Sequence, residues 1–362
     1  MSALAFQMIS VADRLRGTVL RWACASRGLR RIFVDRGRRL AAMQAVAVLS
    51  ALGLALRAPL VSLWLGAAVF GVPHLVAGVR AVAVRRRASP VALGCAALGM
   101  GVGVAQIAGA GDSALRAFVL LFAIALGWEA VMGIERRPWL AVALLAVLVP
   151  GVLAAWGSPR LTVVVLAHLH GMGSLVYFGI NARRRRLPVW PLVAGVCGLL
   201  DAAMAAKLYA PRNAGASIVA EAITAGLTHP TAIVFHRALF LYAFGQSLHF
   251  AAWLRLLPDV ERESPTPKPF RRALRDLQAD FGRLTIPLLA LTVVAIVLLL
   301  LEGGRARETY FALSYFHVGL EGAALAQLVF GARAVSRFRP RRDARRLAGP
   351  DASVRLDVEA TT

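Results

Sequence analysis

The chain has 362 residues, of which 58% are hydrophobic and only 17% charged, and its mean hydropathy is +0.65. An average soluble domain is about half apolar and a quarter charged, so this balance excludes an ordinary soluble globule and points to a polytopic membrane protein. The net charge of +23 does not argue for nucleic acid as a partner: the arginines form short clusters between apolar runs, and no basic soluble module is large enough to carry that function.

Residues 1–39 read as a basic amphipathic arm, with Leu15, Val19, Trp22, Leu29, Ile32 and Phe33 set among arginines, which suits a cytoplasmic membrane surface. Crossing a bilayer takes roughly 20 apolar residues as helix. Ten runs approach that length, at 40–56, 60–84, 90–106, 114–134, 139–156, 161–180, 188–206, 231–254, 284–301 and 310–332. They predict an all-α bundle of about 10 transmembrane helices within residues 40–335. Residues 214–227 are moderately apolar and suit a re-entrant or interfacial helix.

Arginine clusters precede the first run (Arg36, Arg38, Arg39) and follow the second (Arg85, Arg86, Arg87), fourth (Arg136, Arg137), sixth (Arg183 to Arg186) and tenth (Arg337, Arg339, Arg341, Arg342). All of them fall on one side of a ten-span arrangement, which places both termini in the cytoplasm. The loop at 256–283 spaces Phe270, Leu274, Leu277, Phe281 and Leu284 by three or four residues, the pattern of an amphipathic helix. Residues 336–362 form a basic, polar tail expected to be disordered. Strong use of Arg, Ala, Val, Leu and Gly resembles a GC-rich genome, and a bacterial inner membrane is the expected location. Cys24, Cys95 and Cys197 form no CxxC or CxxCH, which excludes zinc-ribbon, thioredoxin-like and c-type haem attachment motifs.

The seven histidines carry the functional signal, because six of them fall inside apolar runs. An ionisable ring in hydrocarbon is usually turned toward a partner, a cavity or a cofactor. Counting about 1.5 Å per residue from the cytoplasmic basic end of each run gives depths of roughly 16 Å for His74, 20 Å for His170, 22 Å for His168 and 24 Å for His317. These four therefore make a candidate metal set, with His236 as a further member. His168 and His170 differ by about 200° around a helix, so one is expected to be a ligand and the other an interhelical contact. His317 and Glu321 share a helix face, which suits Glu321 to join or orient the site. Arg80 and His249 are candidate supporting or relay groups, with His249 placed near the inner interface. His229 precedes Pro230 and reads as a helix boundary. Asp201 and Lys207 suit a snorkelled pair, and Glu129 has no evident partner in sequence.

The stretch Gly71-Val72-Pro73-His74 in an early span of a histidine-bearing polytopic chain resembles the bacterial Brp/Blh family of membrane β-carotene 15,15'-dioxygenases. The resemblance covers about ten residues and the general layout. It implies a multi-helix protein whose imidazoles hold non-haem iron and cleave a lipid-soluble polyene with oxygen, with His74 as an iron ligand. The chain departs from the family where Leu75, Val76 and Gly78 replace the usual Gly-Ala and Asp. It also has no histidine in the first span, and Glu321 stands where a later histidine pair would end.

Three functions follow from the buried ionisable groups. The first is a membrane oxidoreductase or oxygenase, with histidine-bound iron acting on a lipophilic molecule. The second is an electron-transfer protein with bis-histidine haem. The third is a proton-coupled transporter using the histidines, Glu321, Asp201 and Arg80.

Overall fold

A computed structural model describes residues 3–85, 88–135, 137–205, 232–262, 269–301 and 304–330, and among them every regular element is helical. Seven helices are long and apolar enough to cross a membrane: Arg36–Arg57, Pro59–Val84, Pro90–Ile107, Gly111–Met132, Pro138–Gly157, Pro159–Arg184 and Phe270–Leu301. In chain order the α-helical elements are α1 (Ala3–Ala25), α2 (Arg27–Val34), α3 (Arg36–Arg57), α4 (Pro59–Leu65), α5 (Val72–Val79), α6 (Pro90–Ile107), α7 (Gly111–Met132) and α8 (Pro138–Gly157). They continue as α9 (Pro159–Arg184), α10 (Trp190–Ala205), α11 (Ala232–Ala251), α12 (Leu257–Glu261), α13 (Phe270–Phe281), α14 (Thr285–Leu301) and α15 (Gly304–Phe330).

The runs expected at 188–206, 231–254 and 310–332 carry α10, α11 and α15. These fall outside the seven because α10 has 16 residues, while α11 and α15 bear the polar side chains of the interior. The expected segment at 214–227, His229, and the tail at 336–362 lie outside the described residues, as do the side chains of Asp201 and His236 and all of Lys207.

The apolar surface fits a lipid solvent. Helix α8 exposes Trp139, Val142, Val147, Val149, Leu153 and Trp156. Its two tryptophans stand roughly 26 Å apart along the axis, near the hydrocarbon thickness of about 30 Å and at the positions of interfacial aromatic belts. Inside, α11 packs on α3, α4 and α9, and α15 packs on α5, α6, α7 and α9. The two polar helices are thereby surrounded by apolar ones.

Two of the three π-helical stretches lie just upstream of a proline. Gly66–Gly71 precedes Pro73, and Ala252–Leu256 precedes Pro258. Proline has no N–H to give, and its ring collides with the carbonyl four residues back; a widened turn relieves that collision. The helix thus continues past each proline and shifts the face presented beyond it.

Glu129 has partners that the sequence did not reveal. Ser89 donates to its carboxylate, as does Gln327 Nε2 at 3.1 Å, and the contact joins α6, α7 and α15. Arg80, expected beside the site, instead pairs with Asp280 of α13 at 2.6 Å. This happens because α13 folds back against the π-helical stretch Arg80–Arg85. Helix α13 is amphipathic, and Gly282 ends it at φ +58°, a conformation open to glycine. Asp13 of α1 accepts from the Phe270 and Arg271 backbone N–H groups at 2.6 and 3.2 Å, a carboxylate at the positive end of the α13 dipole.

Asp259 is fully buried and pairs with Arg39, itself 3% exposed, at 3.3 Å, and also with Arg262. Arg36 caps the end of the same helix, donating to the Asp259 and Val260 carbonyls at 3.0 and 2.6 Å. Burial, followed by the Arg39, Arg255, Arg36 and Arg16 guanidiniums, pulls Arg262 down to about 10; it remains charged at neutral pH. Removing one partner of a buried pair typically costs about 3–5 kcal/mol, whereas an exposed pair contributes about 0–1 kcal/mol. Asp259→Ala is therefore expected to lower the unfolding midpoint strongly. Arg160→Ala, which breaks the exposed Arg160–Asp112 pair at 2.9 Å, is expected to leave it almost unchanged; denaturant melts of the two variants check this.

Candidate metal centre

Three helices deliver four interior polar groups to one place. Helix α9 supplies His170, α11 supplies His249, and α15 supplies both His317 and Glu321, whose spacing of four puts them on one face. One ligand atom from each of these four residues lies within 4.8 Å of all the others. His170 Nδ1 is 3.2 Å from Glu321 Oε2, His249 Nε2 is 3.8 Å from Glu321 Oε1, and His317 Nε2 is 2.5 Å from that same oxygen. Ligand atoms at about 2.0–2.2 Å from one metal sit roughly 3–4.4 Å apart. The first two separations fit that range, and the third needs only a small opening.

Close packing makes the convergence possible. A Cβ on Gly78 would stand 2.6 Å from His317 Cε1, so the glycine leaves the room that this imidazole fills. Gly171 brings α9 against the α11 backbone, where its Cβ would meet the Gly245 carbonyl at 3.3 Å. That approach sets His170 and His249 with ring centroids 4.4 Å apart.

The polar atoms of the cluster set what it can bind. Neither ring nitrogen of His249 or His317, and neither oxygen of Glu321, completes a hydrogen bond, although all are buried. The short His317–Glu321 contact is close without being aligned for one. Leaving a buried polar atom unpaired costs about 1–3 kcal/mol, so six such atoms carry a penalty on the order of 10 kcal/mol. Lone pairs that converge on one point, rather than on one another's protons, fit a cation. Three neutral imidazoles and one carboxylate form a donor set for a divalent transition metal. The group can hold a metal ion.

The remaining predicted residues take other positions. His74, expected as a ligand, lies beside this group rather than in it. Its Nδ1 donates to the Phe70 carbonyl at 3.3 Å, and its ring meets His317 edge-on at 4.4 Å and Phe250 at 4.8 Å. It buttresses the His317 ring. His168 faces away, with Nδ1 2.8 Å from the Val164 carbonyl and Nε2 3.2 Å from the Ala238 carbonyl of α11. Of the two neighbouring histidines, only His170 reaches the group.

His249 is the residue whose place the sequence misjudged. A span that ends at Arg255 puts His249 near the inner interface. In the structure the helix runs on through the π-helical turn, and Leu256, Leu257 and Val260 are buried in the core. The apolar spacing of those three residues beyond Arg255 was the available signal.

A cavity of about 80 Å³ adjoins the group, with His170 and Glu321 in its wall. Leu169, Val318, Leu325 and Phe122 make it largely apolar, while Tyr177 and Trp253 stack at 5.5 Å along another side. The Trp253 indole N–H is buried and has no hydrogen bond among the described residues. These features define an all-helical protein with membrane-length apolar helices and a buried three-histidine, one-carboxylate cluster. No family model, curated protein or solved structure matches the chain.

Alanine at His170, His249, His317 or Glu321 is expected to lower bound metal at least tenfold, because each removal deletes one of four donors. His168→Ala is expected to keep the full content. Elemental analysis of the purified variants checks both statements. The imidazoles must be deprotonated to bind, so metal retention is also expected to fall as the pH is lowered.

Proposed function

We propose that the protein is an integral membrane oxidoreductase or oxygenase, in which His170, His249, His317 and Glu321 hold non-haem iron next to a chamber for a lipophilic substrate. The observation that carries this reading is the convergence of one ligand atom from each of His170, His249, His317 and Glu321, all within 4.8 Å of one another, beside an apolar cavity. The local resemblance around Gly71-Val72-Pro73-His74 agrees with iron and with an apolar substrate. Haem fits less well, since the imidazole rings touch one another at 4.4–5.7 Å between centroids and leave no slot for a flat macrocycle between them. The chain is taken to cross the bilayer ten times with both termini in the cytoplasm, as in a bacterial inner membrane. Arginine clusters at alternate helix ends support that topology.

Iron held by imidazole and carboxylate supplies redox and dioxygen chemistry when bound. The chain's own residues do the rest. Glu321 offsets one unit of the cation's charge in a medium where an uncompensated charge is costly. His74 packs against His317, Phe250 packs against His74 and His249, and together they exclude water there. Leu169, Val318, Leu325 and Phe122 receive an apolar group, and the Trp253 N–H offers one hydrogen bond to a substrate oxygen.

Purified full-length protein in detergent is expected to contain close to one iron per chain, to show no Soret band, and to consume dioxygen only with an apolar substrate such as a polyene. A Soret band would instead establish haem. A metal-free protein that moves protons across vesicles would establish transport. Gly173 lines the cavity, and a Cβ there would meet only Leu325 Cδ2, at 3.9 Å. Gly173→Leu is therefore expected to keep the iron while lowering turnover at least tenfold; normal turnover would show that the substrate enters elsewhere.

A further inference from the structure

The corner between α2 and α3 carries a second concentration of charge that the metal centre does not use. Arg27, Arg30, Arg31, Arg36 and Arg38 line one open groove of about 770 Å³ together with Val34 and Asp35. Asp35 is the single acid there, and its carboxylate is engaged as the cap of α3, accepting from the Arg38 backbone N–H at 2.7 Å. Arg36 turns inward to the Asp259 and Val260 carbonyls. Among the described residues, the side chains of Arg27, Arg30, Arg31 and Arg38 make no hydrogen bond or ion pair.

Cations gathered on a concave surface repel one another unless an anion joins them. Behind this groove stands a further layer, Arg39 and Arg262, with Asp259 between them, so the interior adds positive potential rather than relieving it.

The preceding helix indicates where the anion comes from. On α1, Met8, Val11, Leu15, Val19 and Trp22 are exposed at intervals of three and four residues, with Trp22 at 76%. Such a stripe lies at the boundary between headgroups and acyl chains. An apolar stripe followed directly in the chain by a cationic groove matches a molecule with an acyl chain and a phosphate, whereas a free phosphate would need only the groove.

We infer that the groove lined by Arg27, Arg30, Arg31 and Arg38 binds the phosphate of an anionic phospholipid headgroup. This rests on the membrane placement proposed above and is independent of the metal centre. Full-length protein in neutral detergent would be titrated with phosphatidylglycerol, phosphatidylcholine or inorganic phosphate while its thermal unfolding midpoint is followed. Phosphatidylglycerol is expected to raise the midpoint saturably, and the other two are expected not to at the same concentrations. An arginine at a membrane surface is worth about 1 kcal/mol, roughly fivefold in affinity. The triple variant Arg27→Gln, Arg30→Gln, Arg31→Gln is therefore expected to need about 100-fold more lipid, with its lipid-free midpoint and metal content unchanged. Equal shifts from phosphatidylcholine, a shift reproduced by inorganic phosphate, or an unaltered triple variant would overturn the inference. Monodisperse protein without detergent would overturn the membrane placement itself, a result separable from a failed titration.

Discussion

The structure depends on one electrostatic constraint: three imidazoles and a carboxylate sit in an apolar helix bundle with most of their polar atoms unpaired. Unrelieved, that arrangement costs an amount comparable to the net stability of a typical domain, about 5–15 kcal/mol. A bound cation would relieve a large part of it, since it accepts one lone pair from each of the four residues. The protein's other buried charged groups each have a partner of opposite charge or a hydrogen-bonding side chain. Glu129 has Ser89 and Gln327, Asp259 has Arg39 and Arg262, and Arg80 has Asp280. Against that background, the cluster at Glu321 is a group that could hold a metal ion.

The helices are shaped to deliver those groups. Pro73 and Pro258 are each preceded by a π-helical turn, and each of those turns lies within a few residues of a histidine: His74 after Gly66–Gly71, His249 before Ala252–Leu256. Widened turns of this kind recur at functional sites because they re-aim side chains without ending the helix. Glycines complete the placement. Gly78 admits the His317 ring, and Gly171 lets α9 approach α11, so four donors from three helices reach a volume that larger side chains would have closed.

Much of this was readable from the sequence, for reasons of period and cost. Long apolar runs can be little other than helices in lipid, and the described residues of the runs are mainly helical, with seven helices of membrane length and apolarity among them. The His317–Glu321 pair was visible because four residues make one helical turn, and the divergence of His168 from His170 because two residues make just over half a turn. His249 escaped because depth along a helix was inferred from a basic residue, Arg255, that the chain passes before its buried helix ends. The partners of Glu129 and Arg80 escaped for a different reason. They come from positions 40 to 200 residues away, and spacing along one helix carries no information about them.

The most direct measurement is X-ray absorption at the metal edge of the purified, full-length protein. Imidazole rings bound through nitrogen give a characteristic outer-shell scattering, and the account predicts a nitrogen and oxygen shell at about 2.0–2.2 Å with the signature of three imidazoles. That signature should weaken by one ring in His249→Ala. Protein without metal, a porphyrin-like scattering pattern, or a three-imidazole signature untouched by His249→Ala would contradict it.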